Sequence, residues 1–184
     1  SDSAWSSISD IVNHIRKTSD PDVIPRDRHS PLEVEVEFNP VNILEADPKT
    51  KQTELIVRQD IRWKYLTFYN TISAPEPLVP QLVVVNIDGG ILWVPSLKLT
   101  TLCDVTKGVS TCVIKMGSWT YSELDVKLTA KTDTSTDATD SPFELVSSDV
   151  ERKQIIYSCC PTEVYATAEF KVSSGRKKPN EIIR

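Results

Sequence analysis

The sequence predicts a mainly β chain, an immunoglobulin-like β-sandwich with a short N-terminal α-helix, and three observations lead there. The stretch "LEVEVEF" alternates without a break, placing Leu32, Val34, Val36 and Phe38 on one side and Glu33, Glu35 and Glu37 on the other. That period of two belongs to a half-buried antiparallel strand. About nine or ten such short runs follow one another with turn signals between them, the spacing of a sandwich. Helical periodicity occurs once, at the start. The expected layout is a single domain over 1–184, with a helix over about 4–17, a sandwich over about 32–173 and a polar tail over 174–184.

The helix rests on Trp5, Ile8, Val12 and Ile15, which recur at helical spacing and are joined by Ile11. Two prolines in "TSDPDVIP" end that pattern. After "LEVEVEF", strands are expected over 41–46, 53–63 and 82–87. Asp88-Gly89-Gly90 then turns the chain into "ILWVPSLKL", the partner strand of a hairpin. Further strands are expected over 111–119, 123–130, 143–146, 150–158 and 164–172. Small polar residues fill 131–142 and read as a long loop. The sequence contains neither an internal repeat nor a second domain.

Composition narrows the function. A net charge of −5 disfavours nucleic acid and anionic membrane surfaces as partners. No apolar run is long enough to span a bilayer. The N-terminus lacks the basic-then-apolar order of a signal peptide, so the expectation is that any such peptide has been removed. Catalysis is not expected: His14 and His29 are the only histidines, His14 lies on the polar side of the helix and His29 in a Pro-flanked loop. The sequence also lacks GxSxG, P-loop and dinucleotide fingerprints. No metal or other cofactor is expected, because CxxC and EF-hand spacings are missing.

Four cysteines permit three disulfide pairings. Cys103 and Cys112 enclose the turn-forming "DVTKGVST", and a bridge across so short a loop contributes roughly 3 kcal/mol. Cys159 and Cys160 would then remain as a pair. Bridged cysteines imply an oxidising, extracellular compartment, and secretion is the expectation. A bridge between neighbours closes essentially no loop, so its effect lies in stiffening a hairpin tip rather than in stabilising the fold. Tyr157 and Tyr165 flank that tip, and their ring faces attract ammonium ions by about 0.5–2 kcal/mol each.

The hairpin "YSCCPTEVY" resembles loop C of the nicotinic receptor (Cys-loop) family of extracellular ligand-binding domains, whose hallmark is Tyr-x-Cys-Cys followed by a second Tyr. Other segments resemble the same family along nearly the whole chain. "TSDPDVIP" is similar to the loop after the family's N-terminal helix, "YNTISAPEPLVPQL" to the stretch opened by the loop A tyrosine, "CDVTKGVSTC" to the Cys-loop, and "IKMGSWTYS" to loop B with its tryptophan. Within the family the resemblance points to the soluble, secreted homopentameric branch. The sequence ends at Arg184, and the expectation is that no membrane segment follows; the tip "VTKGV" is polar where receptors carry Phe-Pro-Phe.

The resemblance implies a ligand-binding fold of that family and a site between subunits that takes acetylcholine or related quaternary ammonium ligands. On the principal side it implies Tyr69, Trp119, Tyr157, Cys159, Cys160 and Tyr165, with Trp119 offering its ring and its backbone carbonyl and a Cys159–Cys160 disulfide covering the cage. On the complementary side it implies Val84, Leu92 and Val94 from "LVVVNIDGGILWVP", and Arg58 at the position where the family carries a loop D aromatic five residues before Trp63. An arginine facing a cation repels it unless it pairs with an acid such as Asp60. "WKYLTFYN" is also much shorter than the family's segment between loops D and A. These two departures support the alternative, a structural or accessory subunit of the same fold with a weakened pocket.

Overall fold

The computed structural model describes residues 7–18, 30–61, 66–80, 82–87, 91–132 and 141–178. Helix α1 runs Ile8–Thr18 and starts where Ser7 caps it. The Ser7 hydroxyl accepts the Asp10 amide at 3.2 Å and donates to the Asp10 carboxylate at 2.9 Å, and the Ser7 carbonyl accepts the same amide at 3.2 Å, which caps the first turn. Of the apolar stripe, Ile11 is buried, whereas Ile8 lies on the exposed side. Trp5 and most of "TSDPDVIP" lie outside the described residues.

Among the described residues eleven strands follow: β1 Leu32–Ala46, β2 Gln52–Ile61, β3 Leu66–Phe68, β4 Glu76–Pro77, β5 Val83–Val85, β6 Ile91–Trp93, β7 Ser96–Thr106, β8 Val109–Ser118, β9 Val126–Thr132, β10 Phe143–Ile156 and β11 Val164–Arg176. They form two sheets that share one strand. One path reads β9-β1-β2-β7 and the other β7-β8-β11-β10. The first half of β7 pairs antiparallel with β2, from Ser96 to Leu102, and its second half pairs with β8, from Cys103 to Thr106. The main pairings are antiparallel, except that β9 runs parallel to β1 from Leu32↔Val126 to Phe38↔Thr132.

Between the sheets lies one core containing Val34, Val36, Phe38, Leu55, Leu99, Ile114, Met116, Leu128 and Phe170. Phe38 from one sheet stacks on Phe170 from the other with centroids 4.6 Å apart, and both are fully buried. Glu33, Glu35 and Glu37 face outward as the alternation requires, and Lys127 and Lys131 from the adjacent β9 pair with them. Those contacts are exposed and contribute little to stability.

The mainly β character and the sandwich agree with the expectation; several boundaries do not. The expected strands over 32–38 and 41–46 are one strand, because irregular register at Pro40/Asn42 and Ile43/Glu45 absorbs the proline without ending the ladder. Likewise 143–146 and 150–158 merge into β10 through a shift at Leu145/Ser147. "ILWVPSLKL" is split: Pro95 separates β6 from β7, which then runs seven residues past Leu99 to Thr106. Its inward positions are Leu97, Leu99, Thr101 and Cys103, so alternation continues through a threonine that periodicity in apolar residues overlooks. Strand β9 starts at Val126 rather than 123. The short β3 and β4 were not expected. The sandwich extends to Arg176, beyond the expected limit at 173: Ser174 and Gly175 are buried, so the start of the expected tail is strand. Of the loop expected over 131–142, Lys131 and Thr132 belong to β9 and Ser141 is buried, donating to the Ile43 carbonyl at 2.8 Å. Residues 133–140, the Asp88-Gly89-Gly90 turn and 179–184 lie outside the described residues.

Candidate functional site

The β10–β11 hairpin carries the Tyr-Cys-Cys segment. Its ladder ends at Ile156↔Val164, and two successive turns close it: the Cys160 N–H donates to the Tyr157 carbonyl at 3.0 Å, and the Glu163 N–H to the Cys160 carbonyl at 3.1 Å. Cys159 and Cys160 sit at this tip as thiols, with Sγ atoms 2.7 Å apart. The bridge expected between them is therefore not formed in this structure. The two sulfurs stand in contact, at a separation longer than that of a disulfide bond. The second expected bridge, Cys103–Cys112, is formed and buried, and it fastens β7 to β8 at a directly opposed pair.

Beneath the hairpin opens a cleft of about 540 Å³ lined by Tyr69, Trp119, Tyr157 and Tyr165, with Lys115 and Glu169 at the side. Trp119 follows the last residue of β8 and is 74% exposed, which removes a packing role as the reason for an indole there. Its ring lies 5.9 Å from Tyr69 at a tilt of 55°. Tyr157 and Tyr165 meet edge to face at 5.4 Å. Such offset and edge arrangements are the favoured ones for aromatic pairs, and they leave ring faces open to the cleft.

Tyr69 is held from three directions that sequence reading did not anticipate. Its N–H donates to the Lys115 carbonyl at 2.9 Å, extending the β3–β8 ladder by one step. The side-chain amide of Asn70 then substitutes for backbone: its Nδ2 donates to the Val113 carbonyl at 2.6 Å and its Oδ1 accepts the Lys115 N–H at 2.8 Å. Finally the Tyr69 hydroxyl donates to the Ser118 carbonyl at 2.6 Å, next to Trp119. Gly117 makes this route possible, because a Cβ there would stand 2.7 Å from both the Tyr69 hydroxyl oxygen and the Ala166 carbonyl oxygen. Burial first, and nearby Tyr157 second, push the Tyr69 phenol up to about 12.

One wall of the cleft is ionic. Lys115 and Glu169 are directly paired across β8 and β11, with Nζ and Oε1 3.1 Å apart, and Lys153 donates to the other carboxylate oxygen at 2.5 Å. Burial works to raise the Glu169 carboxyl, but hydrogen bonds from Lys153 and Lys115 outweigh it and hold the group below its ordinary value. Across the opening, Tyr165 donates to Glu163 at 2.8 Å, and that bond, ahead of burial, pushes the Tyr165 phenol up to about 12. The loop after Trp119 is tied to the hairpin by the Glu123 N–H, which donates to the Val164 carbonyl at 2.7 Å. The Glu123 carboxylate accepts from Arg152 and from Gln154.

The structure thus brings Tyr69, Trp119, Tyr157 and Tyr165 to one cleft, with Cys159 and Cys160 at the tip above it. It places Val84, Leu92 and Val94 elsewhere, on and beside the β5–β6 ladder where Val84 opposes Leu92; Val84 is exposed. Arg58 takes its place in β2, between Asn39 of β1 and Ser96 of β7, and its side chain lies outside the described residues, as does Trp63. Val84, Leu92 and Val94 do not line the cleft. Among the described residues no cluster of His, Cys, Asp and Glu suits a metal. No described helix is long and apolar enough to cross a membrane. The Cys103–Cys112 bridge fits a non-cytosolic compartment. No protein-family model matches the chain.

Proposed function

We propose that this chain is a secreted, soluble acetylcholine-binding protein, and that the aromatic cleft under the β10–β11 hairpin captures quaternary ammonium ligands without turnover. The observation that carries the proposal is the exposed Trp119 ring set beside Tyr69, with the Tyr157–Tyr165 pair lining the same cleft. An ammonium ion that leaves water needs compensating negative potential, and several ring faces supply it at about 0.5–2 kcal/mol each. Tyr69 is suited to this because its hydroxyl is already committed to Ser118, which fixes the ring and costs the ligand no reorganisation.

The cleft is open on one side, and the proposal assigns its cover to a second copy in a homopentamer. The neighbour would contribute Val84, Leu92 and Val94 as an apolar wall, with Arg58 at its margin. Oxidation of Cys159 and Cys160 to a bridge, with loss of two electrons and two protons to an oxidant of the secretory or extracellular milieu, would stiffen the tip over the ligand. A second reading, an accessory subunit with a weakened pocket, is favoured by the short "WKYLTFYN" segment and above all by Arg58, since a cation near a cationic ligand opposes binding.

The test is a titration with acetylcholine and with nicotine, following tryptophan fluorescence, beside a Trp119→Ala protein. The proposal expects a saturable change that disappears in the variant. A wild-type protein that assembles as a pentamer and shows no saturable response supports the accessory reading instead.

A further inference from the structure

A cage that selects cations by charge needs a carboxylate whose charge is not already spent; Glu169 lines the cleft, and Glu163, which does not line it, reaches it through the lining residue Tyr165. Glu169 is paired on both oxygens, to Lys115 at 3.1 Å and to Lys153 at 2.5 Å, so its field is offset before any ligand arrives. Glu163 is different. Among the described residues its carboxylate has no lysine or arginine within ion-pair range, and its bond comes from the neutral Tyr165 hydroxyl at 2.8 Å. Tyr165 in turn holds Tyr157 edge to face at 5.4 Å.

From this we infer that Glu163 is the specificity-determining residue of the cleft: its carboxylate supplies the counter-charge for a cationic ligand and, through the Tyr165 hydroxyl, polarises and orients the ring that the ligand touches. The inference rests on the cation-binding reading above and names the charge that reading requires. Two effects act in the same direction. A phenol that donates to a carboxylate is more electron-rich at its ring face, which strengthens its attraction for ammonium. The carboxylate also acts directly, across a partly screened path, on any cation lodged in the cleft against the Tyr157–Tyr165 pair. Local structure keeps it there, because the Glu163 N–H is held by the Cys160 carbonyl at 3.1 Å, so the side chain projects from a closed turn rather than from a free loop.

Two measurements on the whole protein test this. The Tyr165 phenol is titrated by tyrosinate absorbance, with Tyr165→Phe identifying its contribution against Tyr157 and the neighbouring Cys159 and Cys160 thiols. In Glu163→Gln it should come down from about 12 toward 10, the value of an ordinary phenol. Acetylcholine affinity is then measured in wild type and Glu163→Gln at low and high salt. The variant is expected to bind about fivefold more weakly at low salt, with much of the salt dependence gone. A wild-type protein that binds acetylcholine and a variant that matches it at both salt concentrations overturns the counter-charge role and leaves the cation site standing. A wild-type protein that fails to bind overturns the proposed function and this role together. An unmoved Tyr165 titration shows that the Glu163 contact does not control the ring.

Discussion

Gly117→Ala is the sharpest perturbation of the cleft, because the glycine's missing side chain is where Tyr69 passes. A Cβ at Gly117 would stand 2.7 Å from the Tyr69 hydroxyl oxygen, 2.7 Å from the Ala166 carbonyl oxygen and 3.2 Å from Tyr69 Cε2. The Ala166 carbonyl belongs to β11 and cannot retreat without disturbing the ladder that pairs Thr167 with Gly117. Tyr69 must therefore move, and its hydrogen bond to Ser118 goes with it. Overpacking costs about 1–3 kcal/mol and the lost bond about 1 kcal/mol, so a destabilisation of about 2–4 kcal/mol is expected. For a chain of this size that lowers the melting temperature by roughly 4–16 °C. Urea unfolding measures the energy, and absorbance titration measures Tyr69, whose phenol should fall from about 12 toward the ordinary 10 once it leaves its buried seat. Gly108→Ala is the control: nothing lies within 4 Å of a Cβ there, and its φ of +80° costs only about 1 kcal/mol of backbone strain. A Gly117→Ala protein as stable as wild type, with an unchanged Tyr69 titration, would refute the claim that this glycine seats the tyrosine.

Replacing Cys103 and Cys112 with serine should cost roughly 3 kcal/mol in urea unfolding, since the bridge closes a loop with a sequence separation of 9. Replacing Cys159 and Cys160 with serine should leave the melting temperature nearly unchanged but weaken acetylcholine binding; the opposite pattern would make the pair a structural staple. The Glu169 carboxyl lies below its ordinary value, so the stability it contributes is present above the unfolded value near 4.5 and is lost as pH falls through the lower, folded value. Unfolding free energy measured from pH 6 downward should therefore decline less steeply in Glu169→Gln, and equal slopes would show that the lysine pairs do not hold this carboxylate.

Much of this was legible in the sequence, for identifiable reasons. The first strand announced itself because Val34, Val36 and Phe38 alternate with glutamates, and one face of β1 is buried while the other meets water. The hairpin with Cys159 and Cys160 was legible because its chemistry is local. Strand β7 past Leu99 was not, because Thr101 occupies a fully buried position where a pattern of apolar residues breaks. The union of 143–146 with 150–158 was hidden by an irregularity that backbone pairing tolerates and periodicity does not. At the site, Tyr157 and Tyr165 carried a signal of their own beside the paired cysteines, whereas Tyr69 and Trp119 were reached only through the resemblance of their segments to a known family. Lys115 and Glu169 carried none, since only the register of β8 against β11 makes them partners. Asn70 and Gly117 were likewise invisible: an amide that replaces backbone and a glycine that yields space have meaning only once two strands are placed side by side.

The claim that the cleft reads positive charge is tested most directly by comparing acetylcholine with 3,3-dimethylbutyl acetate, its uncharged carbon isostere, in a calorimetric titration of the wild-type protein. The two have the same shape and differ in one charge. The account predicts that acetylcholine binds at least tenfold more tightly, a difference of about 1.4 kcal/mol that falls within what cation–π contacts supply. Equal affinities would contradict it and make the cleft under Trp119 an apolar groove that is indifferent to charge.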